Sequence, residues 1–409
     1  MWHTTTKRQY KKRLFVLMAT LLFANDDYVY RHKGQLYIRS QADYDFYQRY
    51  LRVFERVRFV ARCIDEEDIN PKRIPFSKEP RIECVPVPIF HGPKEYAKTY
   101  FTVGRLMSDV VKGCDAGIFR LPSTVAMRVA KKFMKTGRPY ATEIVFCAKD
   151  GETSSNGMIE RLLWKKIHSD MQKVCGNANG VSCVTEHFLQ QFYYSKRQDA
   201  FTANYSSLSI DKTFFTAPRQ FPTKPVLTIA HTANNVNFNG RKGHKELVEA
   251  LKILKEDGIT VNLKFAGEDW DNGFELLGNY AKELGVEKQV EFAGFLNRPQ
   301  LSDMLDECDL FVLPTRAEGL PRVIIEAMAK GMPCVSTKVS GNHELLAGEY
   351  LVDYDDVAAL AVSIKTLVTD AAAYEKASRD NFENSKQYEA SLLEVRRDKF
   401  YHQLKDLVK

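Results

Sequence analysis

The chain has 409 residues, of which 44% are hydrophobic and 27% charged, and its formal net charge is +7 at pH 7. This length exceeds one ordinary hydrophobic core and predicts two domains, while the lack of an apolar run of about 18 residues argues against a membrane-spanning helix. The eight cysteines stand singly, without a C-x-x-C pair, which argues against a zinc site or a disulfide framework and favours reduced thiols in a cytoplasmic protein.

The first element in chain order is an apolar run at residues 14–24, preceded by a cluster of basic residues within 7–13. This arrangement is typical of a secretory signal peptide, but no small-x-small cleavage site accompanies the apolar run. We therefore predict a first buried parallel strand over Arg13–Ala24, with a signal peptide as the alternative.

The rest of the first half alternates short apolar runs with helical patterns. Further strands are predicted at Val57–Cys63, Ile82–Val87, Ala116–Arg120, Thr142–Cys147 and Val181–Val184. Helices are predicted between them at Ala42–Phe54, Tyr96–Lys112, Thr124–Lys135 and Met158–Val174. This rhythm indicates β-α-β units and a parallel sheet.

A proline-rich segment, Phe214–Pro225, predicts a linker, and a second alternating series follows it. Strands are predicted at Val226–His231, Val261–Ala266, Val290–Gly294, Leu310–Pro314 and Cys334–Thr337, and the last hundred residues are more helical. We predict an α/β protein of two Rossmann-like, doubly wound domains that face a cleft, with ligands at the switch points of the sheets. The predicted domains are 1–217 and 218–388, and a terminal helix at 389–409 packs back on the first.

One block near the C-terminal third carries the strongest functional signal: Pro314-Thr315-Arg316-Ala317-Glu318-Gly319-Leu320-Pro321, then an apolar helical run to Glu326 and Ala327-Met328-Ala329. Pro321 fits the first turn of a helix, and Gly319 lets backbone approach a ligand closely. Glu318 then lies in the loop and Glu326 within the helix, whose free N–H groups and dipole favour a phosphate. Two solvated acids on an ordinary helix are the alternative.

This block resembles the E-x7-E signature of the family 4 retaining glycosyltransferases, including bacterial capsule and cell-surface polysaccharide transferases. The resemblance implies the GT-B fold, a nucleotide-diphosphate sugar as donor, with a UDP-sugar favoured, and retention by front-face displacement without a bound metal ion or other cofactor. It also implies that Glu318 contacts the transferred sugar, that Glu326 contacts the ribose, and that Gly319 and Leu320 line the donor.

A departing diphosphate needs nearby cations, because charge that develops in the transition state is stabilised by positioned charge. Arg241-Lys242-Gly243 follows a predicted strand and opens a helix, and it resembles the Lys-Gly element of the family. The resemblance assigns Lys242, and with it Arg241, to the diphosphate. In most relatives the arginine lies several residues earlier, so Arg241 pointing to solvent remains the alternative.

Other turns resemble further parts of the family pattern. Gly267, and Gly294 with Phe295, follow two strands of the second half and resemble the glycine turns that line the nucleotide. Glu344 lies in a G-x-x-E-like turn, as a ligand or a helix cap. In the first half, Arg120 and Ser123 match an R-x-P-S turn, and with His91 they are predicted on the acceptor side; a salt-bridged Arg120 and a capping Ser123 are the alternatives.

Charge is unevenly shared along the chain. Residues 1–224 contain 37 Lys and Arg against 22 Asp and Glu, a net +15, whereas the remainder has 22 against 30, a net −8. This asymmetry predicts that the first domain meets an anionic partner. No nucleic-acid-binding signature accompanies it, so we favour an anionic membrane leaflet or a phosphate-linked acceptor, with Trp164, Lys165 and Lys166 as candidate contacts. A merely solvated basic surface remains open.

The sequence thus predicts a cytoplasmic glycosyltransferase, peripheral at the inner face of the membrane, that extends a surface glycan or a lipid-linked oligosaccharide. Domain 1–217 binds the acceptor and domain 218–388 the nucleotide sugar. The alternatives are a GT-B sugar-nucleotide epimerase and a non-catalytic GT-B binding protein.

Overall fold

The computed structural model describes residues 18–89, 104–155, 157–208 and 210–408. The chain forms two α/β units, each built around one sheet. The strands of the first sheet are β1 Thr20–His32, β2 Gln35–Ile38, β3 Arg56–Asp65, β4 Ile74–Pro75, β5 Ile82–Pro88, β6 Ala116–Leu121, β7 Tyr140–Ile144, β8 Gly180–Cys183 and β9 Phe201–Asn204. Helices α1 Gln41–Leu51, α2 Thr124–Phe133, α3 Ala148–Thr153 and α4 Met158–Gly176 accompany them.

The first sheet has a doubly wound parallel core in the order β5-β3-β1-β6-β7-β8-β9. The outer part of β1, which still pairs with β3, also pairs with β2, and β2 pairs with β4, both antiparallel. Strands β3 and β5 are added on one side of β1, and β6 to β9 on the other, so the winding order reverses between β1 and β6. Such a switch point opens a crevice at the carboxyl edge of a sheet. The cleft side of the first unit is therefore built from the ends of β1, β6 and β7.

The second sheet is formed by β10 Leu227–Val236, β11 Val261–Asp269, β12 Val290–Gly294, β13 Leu310–Leu313, β14 Cys334–Thr337 and β15 Leu351–Val352. It is parallel, in the order β12-β11-β10-β13-β14-β15, with its switch point between β10 and β13. The helices are α5 His244–Glu256, α6 Gly273–Glu283, α7 Arg298–Glu307, α8 Arg322–Ala329, α9 Asn342–Leu345, α10 Val357–Thr369, α11 Ala371–Ser385 and α12 Ala390–Lys405. The two doubly wound units confirm the predicted fold class.

The two units share buried apolar surface. One hydrophobic cluster runs from Leu22 and Phe119 in the first unit to Leu313 and Met328 in the second. Helix α12 returns to the first sheet, where Phe400 and Tyr401 join its second cluster. The carboxyl edges of both sheets are thereby held face to face across a cleft.

Several elements differ from the sequence prediction in ways that have a physical reason. The short strands β2, β4, β9 and β15 were not predicted, because two to four residues carry little periodicity. The equally short β8, β13 and β14 were predicted. Strand β1 begins at Thr20 and extends past the predicted end, and the part of the prediction before Met18 lies outside the described residues. Pro321 occupies the N-cap position directly before α8, whereas the sequence predicted it within the first turn of the helix. No single described helix is long and apolar enough to span a membrane. Helices α10 and α11, which meet at a bend, would together meet the length and composition that a span requires.

Candidate active site at the switch point of the second sheet

The carboxyl ends of β10 and β13 lie side by side, and they bring together two side chains 76 positions apart. Ile229 and Ala230 pair with Leu310 and Phe311, so the loops that leave both strands open at the same edge of the sheet. The Lys242 ammonium contacts Oε1 of Glu318 in this position. The predicted diphosphate residue and the predicted sugar residue therefore share one site.

Backbone contacts fix the two loops to each other. The carbonyl oxygen of Arg241 accepts hydrogen bonds from the backbone N–H of Arg316, at 2.8 Å, and from Thr315 Oγ1, at 3.1 Å. Gly243 precedes α5 with φ +74°, and a Cβ there would overlap the carbonyl oxygen of Pro314. The glycine thus allows the start of α5 to approach the Glu318 loop, because no other residue accommodates both that conformation and that contact.

Glu326 lies inside α8 and is only 6% exposed. Burial raises the pKa of its carboxyl group, against the lowering effect of Arg322 and then Arg298. Within the described residues no hydrogen-bond donor is paired with this carboxylate. Because buried polar groups almost always have a partner, the arrangement is one that ligand hydroxyl groups would complete.

The first unit supports the Glu318 loop from across the cleft. A Cβ on Gly319 would overlap the carbonyl oxygen of Val145, so only glycine permits this close approach. The carbonyl oxygen of Glu318 accepts a hydrogen bond from the backbone N–H of Cys147 at 3.4 Å. The Glu318 backbone is therefore positioned by both units.

A hydroxyl bridge also links the units beneath Glu318. The Ser340 hydroxyl lies 2.6 Å from the Glu318 carbonyl oxygen and also contacts the carboxylate of Asp150, in α3. Burial raises the pKa of Asp150, and Ser340 has φ +43°, a conformation that non-glycine residues seldom adopt. Sequence analysis assigned a role to neither residue. Ser340 directly precedes the G-x-x-E-like turn, but Asp150 lies in no recognised motif, and the two residues are 190 positions apart.

Arg241 is exposed on the cleft side of the same loop. Its guanidinium carbon lies 5.9 Å from the centroid of the Phe146 ring, which belongs to the first unit. An arginine over an aromatic face is weakly held by the ring quadrupole. Arg241 therefore lines the cleft next to Lys242 and is turned toward the other unit rather than away from it.

Two histidines pack behind Lys242. The rings of His231 and His244 are 4.8 Å apart, and His231 Nδ1 lies 2.8 Å from the carbonyl oxygen of Val312. Burial lowers the pKa of both imidazoles, that of His244 to about 4, with Lys242 adding to the effect. Both rings are therefore neutral near pH 7, and the cationic charge at this edge comes from Arg241 and Lys242.

The predicted nucleotide-lining residues lie along the same carboxyl edge. Gly267 is within β11, which pairs with β10, and Gly294 ends β12. Phe295 follows directly and is 66% exposed, so its ring is free to contact a ligand. Leu320, by contrast, is buried beside the Glu318 loop.

The predicted acceptor-side residues take part in contacts within the first unit. Nη1 of Arg120 donates to the Glu143 carboxylate at 3.3 Å, and Tyr50, Tyr205 and Tyr401 also donate to that carboxylate. The Ser123 hydroxyl accepts from the backbone N–H of Ala126 at 2.9 Å and caps α2. His91 lies outside the described residues. Both open alternatives, a salt-bridged arginine and a capping serine, match this geometry.

Glu344 joins the two units at the rim of the site. Its carboxylate accepts hydrogen bonds from the backbone N–H groups of Glu186, His187 and Phe188, at 2.5, 3.0 and 2.7 Å. Gly341, three residues earlier, donates its N–H to the Gly319 carbonyl oxygen at 3.0 Å. Glu344 is thus a capping residue, which was one of the two predicted alternatives, but the backbone that it caps belongs to the first unit. It also anchors the turn that supports the Glu318 loop.

We expect Glu344→Gln to loosen this anchor. An amide oxygen is uncharged and accepts from fewer donors than a carboxylate, and charge-assisted hydrogen bonds contribute about 1.5–3 kcal/mol each at most. Thermal unfolding should show a loss of about 1–2 kcal/mol, with a moderate drop in kcat. Glu349→Gln, which alters an exposed ion pair with Lys376, is the matched control. Equal behaviour of both variants would contradict the anchoring role.

The described residues contain no group of three or more His, Cys, Asp or Glu side chains arranged to hold a metal ion.

Residues 234–386, which span the switch point and both glutamates, match the family model of glycosyl transferases group 1. The match falls on the second unit.

Comparison with whole proteins extends this result. The chain is 23% identical over 382 residues to Protein CapJ of Staphylococcus aureus, covering 93% of this chain and 94% of CapJ. It is 32% identical over 166 residues to the putative colanic acid biosynthesis glycosyltransferase WcaL of Escherichia coli K12, covering 38% and 39% of the two chains. The predicted class, a glycosyltransferase, is confirmed, and these matches support neither the epimerase nor the non-catalytic alternative.

The whole chain also resembles solved structures. Anabaena HepE, solved in complex with UDP, superposes with a TM-score of 0.65 at 16% identity, covering 95% of this chain and 100% of that chain. At this identity the likeness shows the fold, and it extends over both doubly wound units.

Proposed function

We propose that the glycosyltransferase moves a sugar from a UDP-sugar to a glycan or lipid-linked oligosaccharide in the synthesis of a bacterial surface polysaccharide such as a capsule. The observation that carries the proposal is the Lys242–Glu318 pair at the switch point, with the buried Glu326 carboxylate, for which the described residues supply no hydrogen-bond donor, on the adjoining helix. A solved structure of similar fold holds UDP, and WcaL is named for colanic acid biosynthesis. We place the reaction in the cytoplasm, at the inner face of the membrane.

Each side chain has a role that follows from its position. Lys242 and Arg241 would neutralise the donor diphosphate, which would displace Glu318 from the Lys242 ammonium. Glu318, thereby released, would accept hydrogen bonds from hydroxyl groups of the transferred sugar. Glu326 would accept from the ribose, and the exposed ring of Phe295 lies at the edge where a base would stack.

The E-x7-E resemblance favours a retaining, front-face displacement. The bond from the sugar anomeric carbon to the diphosphate oxygen breaks while the bond to the acceptor oxygen forms on the same face, and the acceptor proton passes to the departing diphosphate. Asp150, a carboxyl group that the first unit brings near Glu318, contacts the Ser340 hydroxyl. Asp150 would therefore position the Glu318 loop and take no part as a nucleophile.

A panel of nucleotide sugars tests the donor assignment. A ligand that binds the folded state raises the melting temperature, so UDP-sugars should stabilise the protein more than GDP- or ADP-sugars at equal concentration. A donor identified in this way should release UDP faster when acceptor is added, with the anomeric configuration retained by NMR. No stabilisation by any nucleotide sugar would contradict the proposal, and conversion of the donor into an epimer would favour the epimerase.

We expect Glu326→Gln to weaken donor binding with little change in kcat. A ribose contact is made equally in the ground and transition states, so its loss mainly raises KM. An increase of about tenfold in the donor KM corresponds to the loss of one hydrogen bond of about 1.4 kcal/mol. Steady-state kinetics and the donor-induced thermal shift provide two readouts. A kcat that falls as much as kcat/KM would contradict the ribose role.

A further inference from the structure

The first two turns of α4 expose large apolar side chains to solvent. Met158 is 81% exposed, Ile159 74%, Leu162 60% and Leu163 42%. These four residues fall within six consecutive positions, whereas scattered single apolar residues are the ordinary state of a protein surface. A contiguous patch of this kind marks a surface that meets another apolar phase.

The helix is held by its opposite side, so the patch faces outward. Trp164 packs on the Phe146 ring, with centroids 5.6 Å apart, and Gly151 of α3 leaves the space that the indole fills. Positions 158, 159, 162 and 163 share one face of a helix because they repeat at one and four residues. The structure therefore makes Trp164, a candidate membrane contact from the sequence, the anchor of the helix.

Basic side chains accompany the apolar patch. Arg161, Lys165 and Lys166 are exposed in the same turns, and the acidic partner of Lys166 is Asp170, at 3.4 Å, one turn further from the patch. The first half of the chain carries a net charge of +15. Apolar residues next to Lys and Arg on one helix have the chemistry of segments that lie in the interface of an anionic bilayer.

We propose that the α4 membrane face, formed by Met158, Ile159, Leu162 and Leu163 with the flanking cations, inserts into the headgroup region of an anionic lipid leaflet. The proposal rests on the proposed function in one respect, since it gives that enzyme a lipid-linked acceptor. Phe146 contacts both Trp164 and the Arg241 guanidinium. The membrane face is thus joined to the cleft through one aromatic residue, and docking would place the cleft beside the leaflet that holds the acceptor.

Vesicle binding tests the surface directly. The full-length protein, without donor or acceptor, is sedimented with phosphatidylcholine vesicles and with vesicles that contain 30 mol% phosphatidylglycerol, a proportion of about one third chosen to give a strongly negative surface. We expect binding to the anionic vesicles only, weakening as salt screens the surface. Leu162→Ser with Leu163→Ser should weaken binding about tenfold or more, because the variant loses apolar groups that the wild type buries in the lipid.

A matched control uses another exposed apolar pair. Leu392 and Val395 on α12 are 47% and 70% exposed, and their replacement by serine should leave vesicle binding unchanged. Lys165→Gln with Lys166→Gln should weaken binding to anionic vesicles about 25-fold while leaving the melting temperature unchanged, because each of the two cations near an anionic surface contributes about fivefold. All the replaced side chains are exposed, so the variants should remain folded. Thermal melting of each variant checks this.

The outcomes separate this surface from the enzymatic function. Loss of vesicle binding with an unchanged thermal shift by the donor supports the proposal. Equal binding of the wild type and the Leu162/Leu163 variant, or no binding to anionic vesicles by the wild type, overturns it whatever the donor assay shows. Failure of the donor assay alone would overturn the proposed function and leave the membrane face in place.

Discussion

Lys242→Ala should reduce kcat/KM by about two to three orders of magnitude, the loss caused by removing one preorganised electrostatic contact to developing charge. The ammonium lies at the start of α5, where the free N–H groups and the helix dipole add to its field. The two histidines behind it are buried and neutral, so they cannot replace its charge. Initial rates of UDP release with the correct donor and acceptor measure the effect.

Lys245→Ala is the matched control for this variant. Lys245 lies three residues further on, in the first turn of α5, 3.5 Å from Glu249 and over the rings of Phe238 and Tyr280. Its removal should leave kcat/KM within a few-fold of the wild type. Activity close to wild type in Lys242→Ala, or equal losses in both variants, would mean that Lys242 does not bind the diphosphate.

Glu318→Gln should lower kcat by about two orders of magnitude, because the carboxylate is predicted to contact the sugar on which positive charge develops. The contact that Glu318 makes with Lys242 in the absence of ligand predicts an effect on the donor KM as well. A donor must displace Glu318 from the ammonium, so the neutral glutamine should remove that competition. We therefore expect the donor KM to stay constant or to fall while kcat falls.

Comparison with Glu326→Gln makes this prediction specific. The two substitutions are chemically identical and eight positions apart, yet one should act on kcat and the other on KM. A thermal shift with UDP alone separates them further, since Glu318→Gln should retain it and Glu326→Gln should lose part of it. Wild-type kinetics in both variants would reduce the pair to two surface acids and contradict the proposed site.

The local sequence determined much of this protein. Alternating apolar and amphipathic stretches predicted both parallel sheets, because strand and helix periodicities are properties of consecutive residues. Strands β12 and β14 were predicted at their observed bounds. The spacing of Glu318 and Glu326 around Gly319 and Pro321 also placed one acid in a loop and the other in a helix.

Only the tertiary structure decided which side chains meet. Glu318 contacts a lysine 76 residues earlier, its support joins Asp150 to Ser340, and Glu344 caps a segment of the other unit. No periodicity encodes such pairs, because each depends on how two sheets are wound and how they face each other. The outward face of α4 is decided in the same way, since its composition was visible in the sequence, but the packing of Trp164 on Phe146 set its direction.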